Sequence, residues 1–164
     1  MLIKEPFLYE DNEFELEYHD CDSFENLPLA LCQQIYGICF LENNIVIGHN
    51  GKKDTWGLLG GTVEKDEKIP DTLFREVKEE SNMHITKWQP LGYQFVITKD
   101  NTKLYQLRAY CEVEKIGEFE NDIGGSIDKI KIINPLDYRQ YFDWKSIGER
   151  IIQRGIQMHC SNGK

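Results

Sequence analysis

Strand-like segments, some alternating and some continuous apolar runs, fill much of the chain, and the apolar period becomes that of a helix in two places. Residues 7 to 18 alternate loosely and read as a strand, with a turn signal at Glu10-Asp11-Asn12. Residues 20 to 32 look irregular, and Pro28 breaks any long element there. The run QIYGICFLENNIVIGHN, residues 34 to 50, gives two β-rich segments around Glu42-Asn43-Asn44, a hairpin signal. Strand-like Trp56 to Leu59 leads into a turn at Gly60-Gly61.

The first helical period begins near Pro70, a residue suited to an opening turn because its missing N–H costs nothing there. It ends near Asn82, and Leu73, Phe74 and Val77 supply its apolar flank. Two long β-like segments follow, 89 to 98 and 103 to 114, with Asp100-Asn101 as the turn between them. The polar loop GEFENDIGGS precedes a strand, IDKIKII, which Asn134-Pro135 ends. Ile147, Ile151, Ile152 and Ile156 then recur at helical spacing, predicting a second helix from Asp143 to about Met158. Strands on both sides of one central helix, with a second helix at the end, predict an α/β/α sandwich around a mixed β-sheet.

Composition narrows the class. The 164 residues suit one domain with a single substantial core, residues 1 to 33 forming an N-terminal extension without an assigned role. Hydrophobic content of 40% and charged content of 29% exclude a disordered chain. No apolar run is long enough for a membrane span, and the first twenty residues lack the basic start and apolar stretch of a signal peptide. The formal charge of −9 argues against a polyanionic partner, because a nucleic-acid binder needs a basic face. A free nucleotide stays compatible, since a bound metal ion reverses the local field.

Five cysteines, an odd number with no CxxC pair, suggest neither a full disulfide framework nor a zinc site, and point to a reducing cytoplasm. Cys39 and Cys111 lie in apolar runs and read as buried thiols. The four histidines form no HxxxH spacing.

The chemistry concentrates in residues 61 to 83, GTVEKDEKIPDTLFREVKEESNM. At about 100° per residue, Glu79 and Glu80 lie about 60° to one side and 40° to the other of Glu76. Three like charges on one helical arc repel, so the arrangement calls for a counter-charge. Hard divalent cations bind through carboxylate oxygens and substrate phosphates. Gly60-Gly61 lets the backbone approach a ligand closely, with the Gly60 carbonyl available to the same ion. Arg75, four residues before Glu79, can pair with a neighbouring carboxylate and fix its rotamer. Metal ligands without a Ser-His or Cys-His pair favour direct water attack over a covalent route.

The spacing Gly, five residues, Glu, seven residues, Arg-Glu-aliphatic-any-Glu-Glu resembles the box of the Nudix hydrolases, with Gly61, Glu67, Arg75, Glu76, Val77, Glu79, Glu80 and Met83 at the matching positions. The resemblance runs from about residue 34 onward and implies the same α/β/α sandwich. Two positions depart. Asn82 stands where the family has Gly, and Asn tolerates the left-handed conformation of a helix stop. Leu59 stands where many relatives have Pro, which loosens the turn but removes no ligand.

The resemblance implies Mg²⁺, or Mn²⁺ in its place, held by Glu76, Glu79, Glu80 and the Gly60 carbonyl. Arg75 would orient the carboxylates and Glu67 would pair with Arg75. Glu64 aligns with a commonly acidic position and reads equally well as a surface charge. A further carboxylate from a distant loop is expected, with Glu120, Asp122 and Asp128 as candidates and Asp122 favoured for its place beside Gly124-Gly125. The implied activity is hydrolysis of a nucleoside diphosphate linked to another group. The missing extended motif of NADH pyrophosphatases, and Lys99 where many ADP-ribose enzymes carry Pro, tilt the choice to a MutT-like nucleoside triphosphatase. ADP-ribose or nucleotide-sugar cleavage and a non-catalytic nucleotide-binding module are the alternatives, and a nucleic-acid decapping enzyme is disfavoured by the acidic charge. The expected partner is a small nucleotide, with no nucleic acid and no membrane, and a homodimer is compatible with it.

Overall fold

A computed structural model describes residues 1 to 9, 12 to 97, 103 to 122 and 125 to 163, with the side chains of residues 8, 9, 12 and 13 outside that description. In chain order the strands are β1 (Leu2–Tyr9), β2 (Asn12–Asp20), β3 (Cys32–Leu41), β4 (Asn44–Asn50), β5 (Thr55–Gly57) and β6 (Leu59–Thr62). Helix α1 (Ile69–Ser81) follows, then β7 (Met83–Ile97), β8 (Lys103–Lys115), β9 (Ile127–Ile133) and helix α2 (Lys145–Asn162). Short 3-10 turns at Leu29–Leu31 and Pro135–Gln140 join elements.

The strands form one sheet in the order β1-β2-β7-β8-β3-β4-β5, with β6 paired to β3 and β9 to β4. The β3–β8 pairing is parallel and the others are antiparallel, so the sheet is mixed. Alternation along β3 distributes its side chains to two layers. Ile35 and Cys39 join Leu73 and Val77 of α1 in one cluster; Ile38 and Phe40 join Ile147, Ile151 and Ile152 of α2 in the other. Full burial of Leu73 and Val77 fixes α1 to the sheet, each contributing about 2 kcal/mol. The result is the expected sandwich. Among the described residues, no helix is long and apolar enough to cross a membrane.

Several expectations need correction. The strand read at residues 7 to 18 is a two-stranded hairpin, β1 pairing antiparallel with β2, and β2 in turn pairs with β7. The N-terminal segment therefore extends the sheet. Glu10 and Asp11 of the turn signal, and Asp100-Asn101, lie outside the described residues. Gly60-Gly61 is not a turn: both lie inside β6, opposite Tyr36 and Ile35 of β3. Phe74 is 40% exposed rather than buried, and its ring meets Trp88 edge-on. Asn82 does stop α1 in the left-handed conformation, at φ 53° and ψ 40°.

Candidate active site

The site is assembled where β6 meets the first and last turns of α1. At φ +139° Gly60 takes a backbone conformation that side chains avoid, and a Cβ there would sit 2.7 Å from the Tyr36 Cα. Its neighbour Gly61 is crowded from the other direction, because a Cβ would lie 2.6 Å from the Glu76 carboxyl. The two glycines thus let β3, β6 and the helix carboxylates share a space that larger residues would fill. The Gly60 N–H donates to Glu80 Oε2 at 2.8 Å. That bond ties the last turn of α1 to β6.

Arg75 organises the opposite flank. Its Nε and Nη2 donate to the two oxygens of Glu67 at 2.8 and 3.0 Å, a two-pronged pair. Nη1 donates to Glu76 Oε1 at 2.8 Å and to Glu79 Oε2 at 3.3 Å. Glu67 is also fixed by the Thr72 hydroxyl at 2.7 Å and the Glu64 N–H at 3.2 Å. Glu64 itself stands at the rim, its carboxylate 3.9 Å from Arg75.

Charge crowding shows in the protonation of the acids. Arg75 holds the Glu67 carboxyl down to about 2, with Thr72 and the Glu64 amide reinforcing it. Burial pushes Glu80 up to about 8, against the pull of the Gly60 N–H, and Glu76, Asp122 and Glu79 push further in the same direction. Burial likewise raises Glu76, opposed by Arg75 and reinforced by Glu79 and Asp122.

Asp122 thereby comes within electrostatic reach of Glu76 and Glu80, although more than forty residues separate them in sequence. Its Oδ2 accepts from the Ile127 N–H at 3.2 Å, which ties the carboxylate to the start of β9. Asp128 is engaged elsewhere: its Oδ1 lies 2.6 Å from His49 Nδ1. Glu120 is exposed. Among the described residues no three of His, Cys, Asp and Glu converge into a group that would hold a metal ion. Glu80 is turned to Gly60, while Glu76 and Glu79 are drawn to Arg75.

Tyr36 was missed in the sequence. It lies opposite Gly60, and both Glu80 and Glu76 raise its pKa on top of the larger effect of burial. A second feature is a cleft lined by Leu29, Ala30, Thr62, Val63 and Glu64, which gives the segment before residue 34 a wall beside the acidic loop. Neither residue set carries a motif that would mark it.

The fold and this acidic, arginine-braced helix define a hydrolase of the Nudix class. A Nudix domain model matches residues 35–154, and the chain belongs to the Nudix hydrolase family. It is similar to the m7GpppN-mRNA hydrolase of Saccharomyces cerevisiae, 27% identical over 125 residues, which cover 75% of this chain but only 12% of the yeast protein. The pyrophosphohydrolase BsRppH of Bacillus subtilis superposes with a TM-score of 0.61 at 17% identity, over 79% of this chain and 77% of that one. A structure from a study of MutT from Aliivibrio salmonicida and Vibrio cholerae gives 0.56 at 18% identity, over 77% and 97%.

Proposed function

We propose that the protein is a divalent-metal-dependent diphosphatase that hydrolyses a nucleoside diphosphate linked to another group, with a nucleoside triphosphate as preferred substrate. The observation that carries this reading is the excess of negative charge: Glu67, Glu76 and Glu79 share a single arginine, and Glu80 lies within the field of Glu76, Glu79 and Asp122. Glu80 is 7% exposed and shares its surroundings with like charges, a state that a cation would relieve. All donors are hard oxygens, the set that suits Mg²⁺ or Mn²⁺. The residues fit the ion. Glu76, Glu79, Glu80, Asp122 and the Gly60 carbonyl would hold it, Glu76 and Glu79 exchanging Arg75 for the metal.

Bound there, the ion would neutralise phosphate charge and acidify water. The chain's own groups do the rest. Glu67 clamps Arg75, and Arg75 sets the rotamers of Glu76 and Glu79. Glu79, the most open of the three helix carboxylates at 37% side-chain exposure, accepts the proton of the attacking water. Attack on one phosphorus expels the other phosphate as leaving group. Positioning and charge stabilisation supply most of the rate in such transfers.

A second reading is favoured by the similarity to the yeast m7GpppN-mRNA hydrolase: the 5′ end of an RNA in place of a free nucleotide. The formal charge of −9 weighs against it. A panel of nucleoside triphosphates, ADP-ribose, nucleotide sugars and 5′-capped RNA, assayed with Mg²⁺ and Mn²⁺, separates the two. Turnover of free nucleotides sustains the first reading, and turnover confined to RNA replaces it. The unpaired cysteines, three of them buried, fit a reducing cytoplasm.

A further inference from the structure

Arg108 lies in the middle of β8 and is only 5% exposed. Its Nη1 donates to the Leu107 carbonyl at 3.0 Å and its Nη2 to Gln106 Oε1 at 3.2 Å. The Nε is fully buried and has no hydrogen-bond partner among the described residues. Among the described residues, Arg108 makes no ion pair. A buried guanidinium without a counter-charge is costly, and proteins retain one where something supplies the missing anion. Burial lowers its pKa to about 10, the direction expected of a cation lacking a partner.

Its position says what that something is. Gly60, Tyr36 and Arg108 occupy one cross-strand row, Gly60 opposite Tyr36 and Tyr36 opposite Arg108. With strands about 4.8 Å apart, the Arg108 backbone stands roughly 10 Å from Gly60. The guanidinium lies over the Tyr36 ring at 5.1 Å from its centroid, and Tyr36 in turn feels Glu76 and Glu80. The adjoining row runs Thr62, Gln34, Gln106, Gln94. Gln94 donates to Gln106 at 2.7 Å and Gln106 to Gln34 at 2.7 Å, so Gln34 ends the chain, its NH2 without an acceptor among the described residues. Side chains two apart share a face, which sets Arg108 with Gln106 and Tyr36 with Gln34.

We propose that Arg108, backed by Tyr36 and the glutamine row, is a substrate-specificity residue that binds an anionic oxygen of a phosphoryl group lying beyond the diphosphate held at the acidic helix. This rests on the catalytic reading above and deepens it, because it selects substrates with a phosphate to spare over those with only the bridging pair. Arg108 performs no chemistry. It sets affinity and register along the phosphate chain.

The test compares Arg108→Gln and Arg108→Lys with the parent, melting temperatures of both variants being recorded first. For ATP, Arg108→Gln should raise KM by about tenfold or more with kcat within about threefold, the loss of one charge-assisted contact. ADP-ribose, which carries only the bridging diphosphate, should change by less than about twofold. Arg108→Lys, which keeps the charge, should recover much of the ATP affinity. Calorimetric titration with inorganic tripolyphosphate in the presence of Mg²⁺ gives a second readout, weakened about tenfold in Arg108→Gln. Equal losses on ATP and ADP-ribose, or losses that follow the base across ATP, GTP, CTP and UTP, overturn the proposal. So does a parent protein that fails to bind tripolyphosphate. If neither nucleotide is turned over, the titration alone decides, and a tenfold loss there upholds Arg108 while the catalytic reading fails.

Discussion

The Gly60 amide and the Glu80 carboxylate meet at 2.8 Å, joining β6 to the end of α1 across twenty residues of chain. The bond gives Glu80 a structural partner as well as a place among the proposed metal ligands, and the two roles separate on mutation. In Glu80→Gln the amide oxygen still accepts from Gly60, so the melting temperature should stay within a few degrees of the parent. Turnover should fall by about two orders of magnitude or more. A large drop in melting temperature alongside a mild loss of rate would reverse that assignment.

Glu79→Gln should be the cleaner lesion. Glu79 makes one longer contact to Arg75, at 3.3 Å, and is the most exposed of the trio. Stability should move by less than about 0.5 kcal/mol, while kcat falls about 10² to 10⁴-fold. Chelator should abolish parental turnover, and Mg²⁺ or Mn²⁺ should restore it. Parental rates in Glu79→Gln would remove this residue from the chemistry.

Glu67 carries a pH signature. Arg75 holds its carboxyl at about 2, below the 4.5 of a free glutamate. A folded-state value below the unfolded one means the contribution is complete above pH 4.5. It then fades as pH falls through the folded value. The difference corresponds to about 2 kcal/mol after allowance for partial solvent screening. Urea unfolding should show Glu67→Gln less stable at pH 7 by about that amount, with the gap to the parent narrowing by pH 3. A gap that stays constant between pH 7 and pH 3 would contradict the Arg75 clamp.

Parts of this architecture are written locally and parts are not. Helix α1 and its box were legible because their period, the proline in the opening turn and the Asn82 stop all act within a few residues. The strand at Ile127–Ile133 was legible for the same reason, bounded by a polar loop and Asn134-Pro135. Gly60-Gly61 misled because glycines punctuate turns as often as they permit close packing, and only the tertiary approach of Tyr36 and Glu76 tells which. Asp122 was favoured among three acids only for its place beside a glycine pair; the fold brings its field to Glu76 and Glu80 and turns Asp128 toward His49. Arg108 offered one hint, a charge inside an apolar strand, and its lack of a counter-ion emerges only from three-dimensional packing.

Asn82 tests how the departure from the family's Gly is tolerated. Its φ of 53° is strained for most residues, and its Nδ2 donates to the Glu118 carbonyl at 2.9 Å, fastening the loop that leads toward Asp122. Asn82→Gly relieves the backbone and loses that bond, two effects of about 1 kcal/mol and opposite sign. Net stability should change by less than about 1 kcal/mol. Asn82→Ala loses that bond and meets a larger left-handed penalty than asparagine does, so it should cost about 2 kcal/mol by urea unfolding. If alanine proves as stable as asparagine, the left-handed stop is not what ends α1.

The carboxylate of Asp20 anchors the N-terminal hairpin to α2. It accepts from Arg150 Nε at 3.1 Å and from Nη2 at 2.7 Å, and Arg154 lies 3.8 Å away. The side chain of Asp20 is 9% exposed and that of Arg150 15%, so the pair is largely shielded from solvent. Removing one partner leaves a largely shielded guanidinium without its carboxylate, the costly direction of such an edit. Asp20→Asn should therefore lose about 3 kcal/mol, more than any surface ion pair here. Since β2 pairs directly with β7, the loss should be one cooperative transition seen alike by circular dichroism and tryptophan fluorescence. A separate early transition, with the remainder melting at the parental temperature, would show the hairpin to be an independent appendage.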